Sequence, residues 1–337
     1  MRLAIFTTTC FLICTSFSYA APNNAGTAKT SHQYTLPSEP DYESEKLRFQ
    51  RATEPYYTLP QYTLDAAQHP RTRAPFTTPH NKHAAMEYQK GIRYARGLGV
   101  KQNHVQAHQW FLKAAAQNHP AAQVFLGAMS EQGKGTGQDF AQAQQWYAKA
   151  AAQNFPEAQF MLGLMYFQGK GVPQDYSLAR EWLQKAAIQQ LTPAQVNLGW
   201  LNEYGRGAEP DLEQARSWYL KAAESGDVLG QFDLGTLYHQ GKGVAQDYAQ
   251  ARTWFEKAAE KNYAAAQYNL GVMALGQGSP RDPVTAYQWF SLVKIAFYPG
   301  AVQSIEKIVG ELSPAQKERA DLWVQQWLKK HPEHPHY

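Results

Sequence analysis

One glycine recurs with an unbroken step through most of this chain. Gly91, Gly127, Gly163, Gly199, Gly235 and Gly271 each stand 36 residues apart. A fixed period of that length means a stack of like supersecondary units, each too small to bury its own apolar faces. Tryptophan keeps the same step at Trp110, Trp146, Trp182, Trp218 and Trp254, and Trp289 follows one residue early. Lys-Ala-Ala begins three residues after each of the first five tryptophans, at Lys113, Lys149, Lys185, Lys221 and Lys257. Residues 83–294 therefore hold five full repeats and a sixth with a one-residue deletion.

The third repeat shows the unit most clearly. Pro156 to Tyr166 reads as a helix, with proline near its start, where a missing N–H is harmless. Gly169 and Gly171 then supply left-handed backbone that stops it. Asp175 is placed to cap a second helix. Tyr176, Ala179, Trp182, Leu183 and Ala186 share one face of that helix by their three- and four-residue spacing. Lys185 stands near its C-terminal end, where the helix dipole favours a cation. Small residues at Ala158, Gly163, Ala179 and Ala187 let helices approach, and the tryptophan is expected to fill the space that remains.

These residues resemble the Sel-one-like repeat (SLR) family, a relative of the tetratricopeptide repeats. The family pattern runs Ala, Leu-Gly, Tyr, Gly-x-Gly-Val, Asp, Ala, Trp and Lys-Ala-Ala. In the fifth repeat it is met by Leu234-Gly235, Tyr238, Gly241-Lys242-Gly243-Val244, Asp247, Ala251, Trp254 and Lys257-Ala258-Ala259. The resemblance implies an all-α fold: a right-handed α/α solenoid of about six 36-residue helix-turn-helix repeats. Departures occur at Asn103 for Asp, Ser130 and Asn202 for Tyr, and Thr136 and Ala208 for Val. Gln277 replaces the first turn glycine of the sixth repeat, which also carries Pro280 and Pro283, so its turn should differ. Residues 295–330 leave the pattern and are expected to form a C-terminal helical cap. Ser313-Pro314 starts a helix there, on which Ala320, Leu322, Trp323 and Trp327 are available to cover the last open face.

The flanks are different in kind. Arg2, the short apolar run Leu3 to Phe17 and the small-x-small ending Ser18-Tyr19-Ala20 read as a cleaved secretory signal peptide, residues 1–20. Cleavage after Ala20 would place the chain in the periplasm or outside the cell, with no membrane span left. Cys10 and Cys14 are the only cysteines and both lie in the leader, so the mature chain has no disulfide and no thiolate chemistry. Residues 21–82 carry eight prolines and no helical period, and read as a disordered Pro/Tyr-rich linker. Within it Tyr34-Thr35-Leu36-Pro37 recurs as Tyr57-Thr58-Leu59-Pro60 and again as Tyr62-Thr63-Leu64. Extended, Pro-flanked aromatic segments suit groove binding. Residues 331–337 form a His/Pro tail.

Little in the sequence points to chemistry. The net charge of +4 is small and dispersed, which argues against a nucleic-acid partner. Each turn Gly-Lys is followed by Gly rather than the Ser or Thr of a phosphate loop. His104 and His108 share a helix face but read as solvent-facing, and the repeat aspartates Asp139, Asp175, Asp211 and Asp247 read as caps. The chain is therefore expected to be no enzyme and to need no cofactor or metal. A cell-wall enzyme of β-lactamase type is the weaker alternative, resting on relatives whose repeats are rich in cysteine.

What varies between repeats is the first helix. Two residues before the framework glycine stand Gln89, Phe125, Met161, Asn197, Asp233 and Asn269; just after it stand Ile92, Ala128, Leu164, Trp200, Thr236 and Val272. The family resemblance implies that first helices line a concave face. The expected contact stripe is Phe125, Met161, Phe167, Asn197, Trp200, Tyr204, Asp233 and His239, with exposed aromatics as anchors. The expected function is a binding scaffold or adaptor for a protein or an extended peptide. An immunity protein against an exported toxin is one form of it, and association with cell-wall glycan is another.

Overall fold

The computed structural model describes residues 79–332 apart from 296, 297 and 299. All of them fall within one of the chain's two units, Leu36–Tyr337. The leader, linker residues 21–78 with their Tyr-Thr-Leu copies, and residues 333–337 lie outside the described residues, whereas residues 79–82, expected in the linker, already belong to the first helix.

Among the described residues there are fourteen α-helices and no strand. The first helices of the six repeats are α1 (Pro79–Arg96), α3 (Pro120–Gln132), α5 (Pro156–Gln168), α7 (Thr192–Glu203), α9 (Val228–Gln240) and α11 (Ala264–Ala274). The second helices are α2 (His104–Ala116), α4 (Phe140–Ala151), α6 (Tyr176–Ile188), α8 (Leu212–Glu224), α10 (Tyr248–Ala259) and α12 (Pro283–Ile295). Each first helix packs on its own second helix, and each second helix packs on the first helix of the next repeat. The result is an α-solenoid.

The turns are built as their residues require. Gly169 and Gly171 adopt φ of 67° and 69°, backbone that a β-carbon would strain. Gly171 also makes room for its neighbour, since a Cβ there would lie 2.6 Å from Cβ of Phe140 in the preceding repeat. The turn of one repeat thus rests on the second helix of the one before. Asp139, Asp175, Asp211 and Asp247 each accept backbone N–H bonds from the first turn of the following helix, and Asn103 does so in the first repeat. In the sixth repeat the left-handed residues are Gly276 and Gly278, which absorbs the deletion.

The packing corrects one expectation. The tryptophans do not fill the gap beside the framework glycine. The residue after each of them does: Phe111, Tyr147, Leu183, Tyr219, Phe255 and Phe290 are fully buried and lie against Gly91, Gly127, Gly163, Gly199, Gly235 and Gly271. The tryptophans themselves are half-buried. Trp146, Trp218 and Trp254 border apolar clusters formed largely by the preceding repeats. Their outer faces carry the lysine three residues on, with Nζ 4.1 Å from the ring of Trp182 and 3.7 Å from that of Trp254. An indole face with a cation over it tolerates partial exposure, so the repeat keeps Trp and Lys together.

Two buried carboxylates tie neighbouring repeats. Glu131 accepts from the Tyr147 hydroxyl at 3.2 Å and faces Lys170 of the next repeat at 3.7 Å. Glu203 repeats the arrangement with Tyr219 at 2.9 Å and Lys242 at 3.0 Å.

Both ends of the stack are polar. Gln89, Lys90 and Arg93 of α1 are exposed where inner repeats place buried residues such as Phe125, Leu126 and Met129. At the other end α13 (Ala301–Ile308) and α14 (Pro314–Lys330) pack on α12. Ser313 closes a capping box with Gln316. Ala320 and Val324 are buried, Trp323 and Trp327 meet Trp289 with centroids 5.3 and 5.2 Å apart, and Leu322 points outward.

Candidate binding face

The first helices have two sides committed to packing. In α9, Gly235 faces Phe255 and Ala251 of its own second helix, and Gly230 faces Ala222 and Ala223 of the preceding one. At roughly 100° per residue, the side turned away from both carries the residues two before, one after, five after and six before the framework glycine. In α5 these are Met161, Leu164, Gln168 and Glu157. Met161, Asn197, Trp200, Tyr204 and Asp233 all stand on this side, and repeats differ there most.

Exposure is where the expectation fails. Of the eight residues of the stripe, Tyr204 is half-buried and the other seven are buried. Phe125 stacks on Phe111 at 4.8 Å and meets the edge of Tyr88 at 5.7 Å, inside the core of the first two repeats. His239 shares a 2.6 Å hydrogen bond with Gln277 and sits edge-on to Tyr248. Asn197 donates to the Pro193 carbonyl of its own helix. Met161 belongs to the central apolar cluster. Asp233 is buried on α9. The structure brings three of the eight together. Phe167 meets Trp200 at 5.5 Å and Trp200 meets Tyr204 at 4.9 Å. Two cations flank this aromatic group: Lys242 lies over Tyr204, and Arg206 lies over Tyr176, which itself touches Phe167.

One residue of this side is not among those the sequence pattern singles out. Glu157 is 8% exposed, and its Oε2 has no hydrogen-bond partner. Burial pushes its carboxyl up to about 7, against the pull of a backbone hydrogen bond. The signal was available, because the same position in other repeats holds Ala121, Pro193, Leu229 and Ala265. At the link before α3, burial drives His119 down to about 4, so it is neutral and its Nδ1 accepts from the Ala122 N–H.

The arrangement offers packing and hydrogen bonding rather than a reacting centre. Among the described residues no three His, Cys, Asp or Glu side chains are grouped to hold a metal. His108 is partly buried, which lowers its pKa. His331 stacks on Trp327 at 4.3 Å. Two Ser-x-x-Lys tetrads do occur, at Ser291–Lys294 and Ser304–Lys307. In the second, Ser304 is buried beside the Tyr268 hydroxyl at 3.3 Å while Lys307 is exposed. Among the described residues no helix is long and apolar enough to cross a membrane.

Comparison with known proteins agrees with the fold. No curated protein matches the chain. A solved Sel1 repeat protein from Oxalobacter formigenes is 29% identical with a TM-score of 0.60, over 68% of this chain and 96% of that one. A protective antigen with an SLR fold from uropathogenic Escherichia coli is 27% identical, with a TM-score of 0.41 over 74% and 70% of the two chains. An immunity protein from Pseudomonas aeruginosa is 19% identical, with a TM-score of 0.42 over 66% and 83%. The Sel1 repeat profile matches six consecutive segments, 80–119, 120–155, 156–191, 192–227, 228–263 and 264–292. With that match running through well over half of its length, the chain belongs to the Sel1 repeat family, whose members are protein-interaction scaffolds.

Proposed function

We propose that this protein is a non-enzymatic scaffold that holds an extended segment of another protein along its first-helix face, in the periplasm or outside the cell. One observation carries the reading. The framework positions of the six repeats are nearly uniform, whereas the side turned away from the second helices changes from repeat to repeat: Ala128, Leu164, Trp200, Thr236, Val272. A scaffold needs constant packing and a variable contact surface. Of the aromatic group, half-buried Tyr204, with Lys242 over its ring, is the part a partner can reach, beside half-buried Thr236 and exposed Gln240 on the next repeat. Export is supported by the leader-like residues 1–20.

The test is capture from envelope extract with the full chain, followed by purification of each captured protein and calorimetric titration. A variant with Tyr204→Ala, Thr236→Lys and Gln240→Lys, checked for helicity by circular dichroism, should lose at least tenfold in affinity. Equal affinity of both proteins would move the contact off this face.

A further inference from the structure

The small net charge conceals an uneven distribution. Residues 79–119 carry six Lys or Arg and one acidic residue, whereas residues 120–292 carry thirteen against sixteen. The acidic residue of the first repeat, Glu87, is buried, accepts from the Gln117 side chain and faces His83 at 3.3 Å. The first repeat therefore presents cations with no exposed carboxylate among them. They gather on one side. In α1, Lys82, Met86, Lys90 and Arg93 follow one another at helical spacing, and all are exposed. Inner repeats press this side onto the second helix before them, as Gly230 does on Ala222 and Ala223. Trp110 of α2 borders it, with the ammoniums of Lys90 and Lys113 at 4.5 and 4.1 Å from its ring. The turn joins the same edge. Gly135 rests on His104 of the repeat before, so Leu98, between the corresponding glycines of the first turn, stands at the open end. Two residues here break the rule of the repeat. Met86, 56% exposed, stands where packing elsewhere takes Ala122, Ala158, Ala194, Gly230 and Ala266. Leu98, 50% exposed, stands where other turns carry Lys134, Lys170, Arg206, Lys242 and Gln277. No described residue packs across either, so neither serves the stack.

We propose that this N-terminal edge docks the solenoid on an anionic lipid surface. The chemistry of the edge favours a bilayer over other occupants. Lys82, Lys90, Arg93 and Lys113 are exposed and unopposed, and each Lys or Arg near an anionic surface strengthens binding roughly fivefold. Met86 and Leu98 add isolated apolar side chains among those cations, and the half-buried Trp110 adds an indole. That mixture suits the boundary between headgroups and acyl chains: phosphates meet the cations while the apolar side chains enter beneath them. A second copy stacked on this edge would bring the same cations against it. An acidic peptide would neutralise the charge and leave Met86 and Leu98 without apolar contact. The edge lies on a different side of α1 from the first-helix face, so a solenoid seated this way keeps that face free for a protein partner. Seating is peripheral, through side chains alone, and needs no helix to cross the membrane.

The experiment sediments the full chain with vesicles of phosphatidylcholine alone and of phosphatidylcholine mixed equally with phosphatidylglycerol. The ratio of the two partition coefficients is the readout, because an apolar leader enters both bilayers alike. The ratio should be at least tenfold. Lys82→Gln, Lys90→Gln, Arg93→Gln and Lys113→Gln together should lower it at least tenfold, with helicity unchanged by circular dichroism. Lys149→Gln, Lys185→Gln, Lys221→Gln and Lys257→Gln remove the same charge from exposed positions of the inner repeats and should change it by less than threefold. Contact is read separately, in a chain carrying Cys10→Ser and Cys14→Ser. A polarity-sensitive fluorophore on Met86→Cys should shift to the blue on the anionic vesicles, and one on Ile188→Cys, also exposed, should not. Equal ratios for the two lysine variants would show that net charge acts without the edge, and the proposal falls. An unshifted label at Met86→Cys overturns it as well. So does an equal shift with polyglutamate, which would make an acidic chain the occupant. No captured protein enters this experiment, so its outcome and that of the capture test are independent.

Discussion

A β-carbon on Gly127 would lie 2.5 Å from Cε1 of Tyr147, closer than any van der Waals contact allows. The framework glycine is thus a notch cut for the residue that follows each tryptophan. Tyr147 is fully buried, and its hydroxyl is held by Glu131, so its flat ring has nowhere to go. Gly127→Ala gains about 1 kcal/mol of helix propensity but meets overpacking of about 3 kcal/mol. The expected net loss of about 2 kcal/mol would be read from the urea midpoint. Gly163→Ala meets Leu183 Cγ at 2.8 Å, Cδ2 at 3.0 Å and the Ala179 carbonyl oxygen at 3.3 Å, and should also lose stability, by about 1 kcal/mol less than Gly127→Ala because Leu183 can shift where the flat ring cannot. Equal losses at the two sites would show that the backbone, not the facing side chain, sets the requirement.

The ties between repeats give a second prediction. Glu203 is buried, with Tyr219 donating to one oxygen and Lys242 to the other. Tyr219→Phe keeps the ring in its glycine notch and removes only the donor to a charged group, worth about 1.5–3 kcal/mol. Stability should fall by about that amount in chemical denaturation. Because solenoid stability is a sum of unit and interface contributions, hydrogen exchange should rise most in α7 and α8.

Repeat architecture was legible in the sequence because stacking forces every unit to solve the same packing problem. The period, the turn glycines and the Asp caps each follow from one local constraint. Two things were not legible. Which large residue fills the glycine notch depends on a one-residue helical rotation, about 100°, and tryptophan drew attention by its size while its neighbour did the packing. Burial of Met161 and Trp200 comes from the side chains of neighbouring helices, with Trp200 against Phe167 and Tyr204, which no local pattern encodes. Glu157 was visible only by reading down a column of repeats.

Glu157 and His119 predict opposing pH dependences. Burial raises Glu157 to about 7, so its neutral form is favoured in the fold; its contribution is complete below about 4.5 and is lost as pH rises to about 7. His119 is lowered to about 4, so its contribution is complete above about 6.5 and is lost as pH falls to about 4. Each of these displacements corresponds to about 3 kcal/mol. Relative to wild type, Glu157→Gln should become increasingly stabilising from pH 4.5 to 7. His119→Asn, which keeps a capping acceptor, should become increasingly stabilising as pH drops from 6.5 to 4. Urea midpoints at half-unit pH steps measure both. Two flat difference profiles would mean that neither group is dry in solution.

The polar N-terminal edge should set where stacking stops. Gln89, Lys90 and Arg93 occupy positions that the second repeat fills with Phe125, Leu126 and Met129, all buried. Lys90 also places its ammonium 4.5 Å from the Trp110 ring, on which Lys113 sits at 4.1 Å, so this tryptophan is covered by cations where inner ones meet a preceding repeat. Gln89→Phe, Lys90→Leu and Arg93→Met together would rebuild an inner-repeat face with no described residue packed across it, an apolar patch of the kind that marks interaction sites. Sedimentation velocity should then show association that grows with concentration, beyond any shown by wild type, while helicity is unchanged. A sedimentation coefficient equal to that of wild type at every concentration would mean that the edge is blocked by shape rather than by charge.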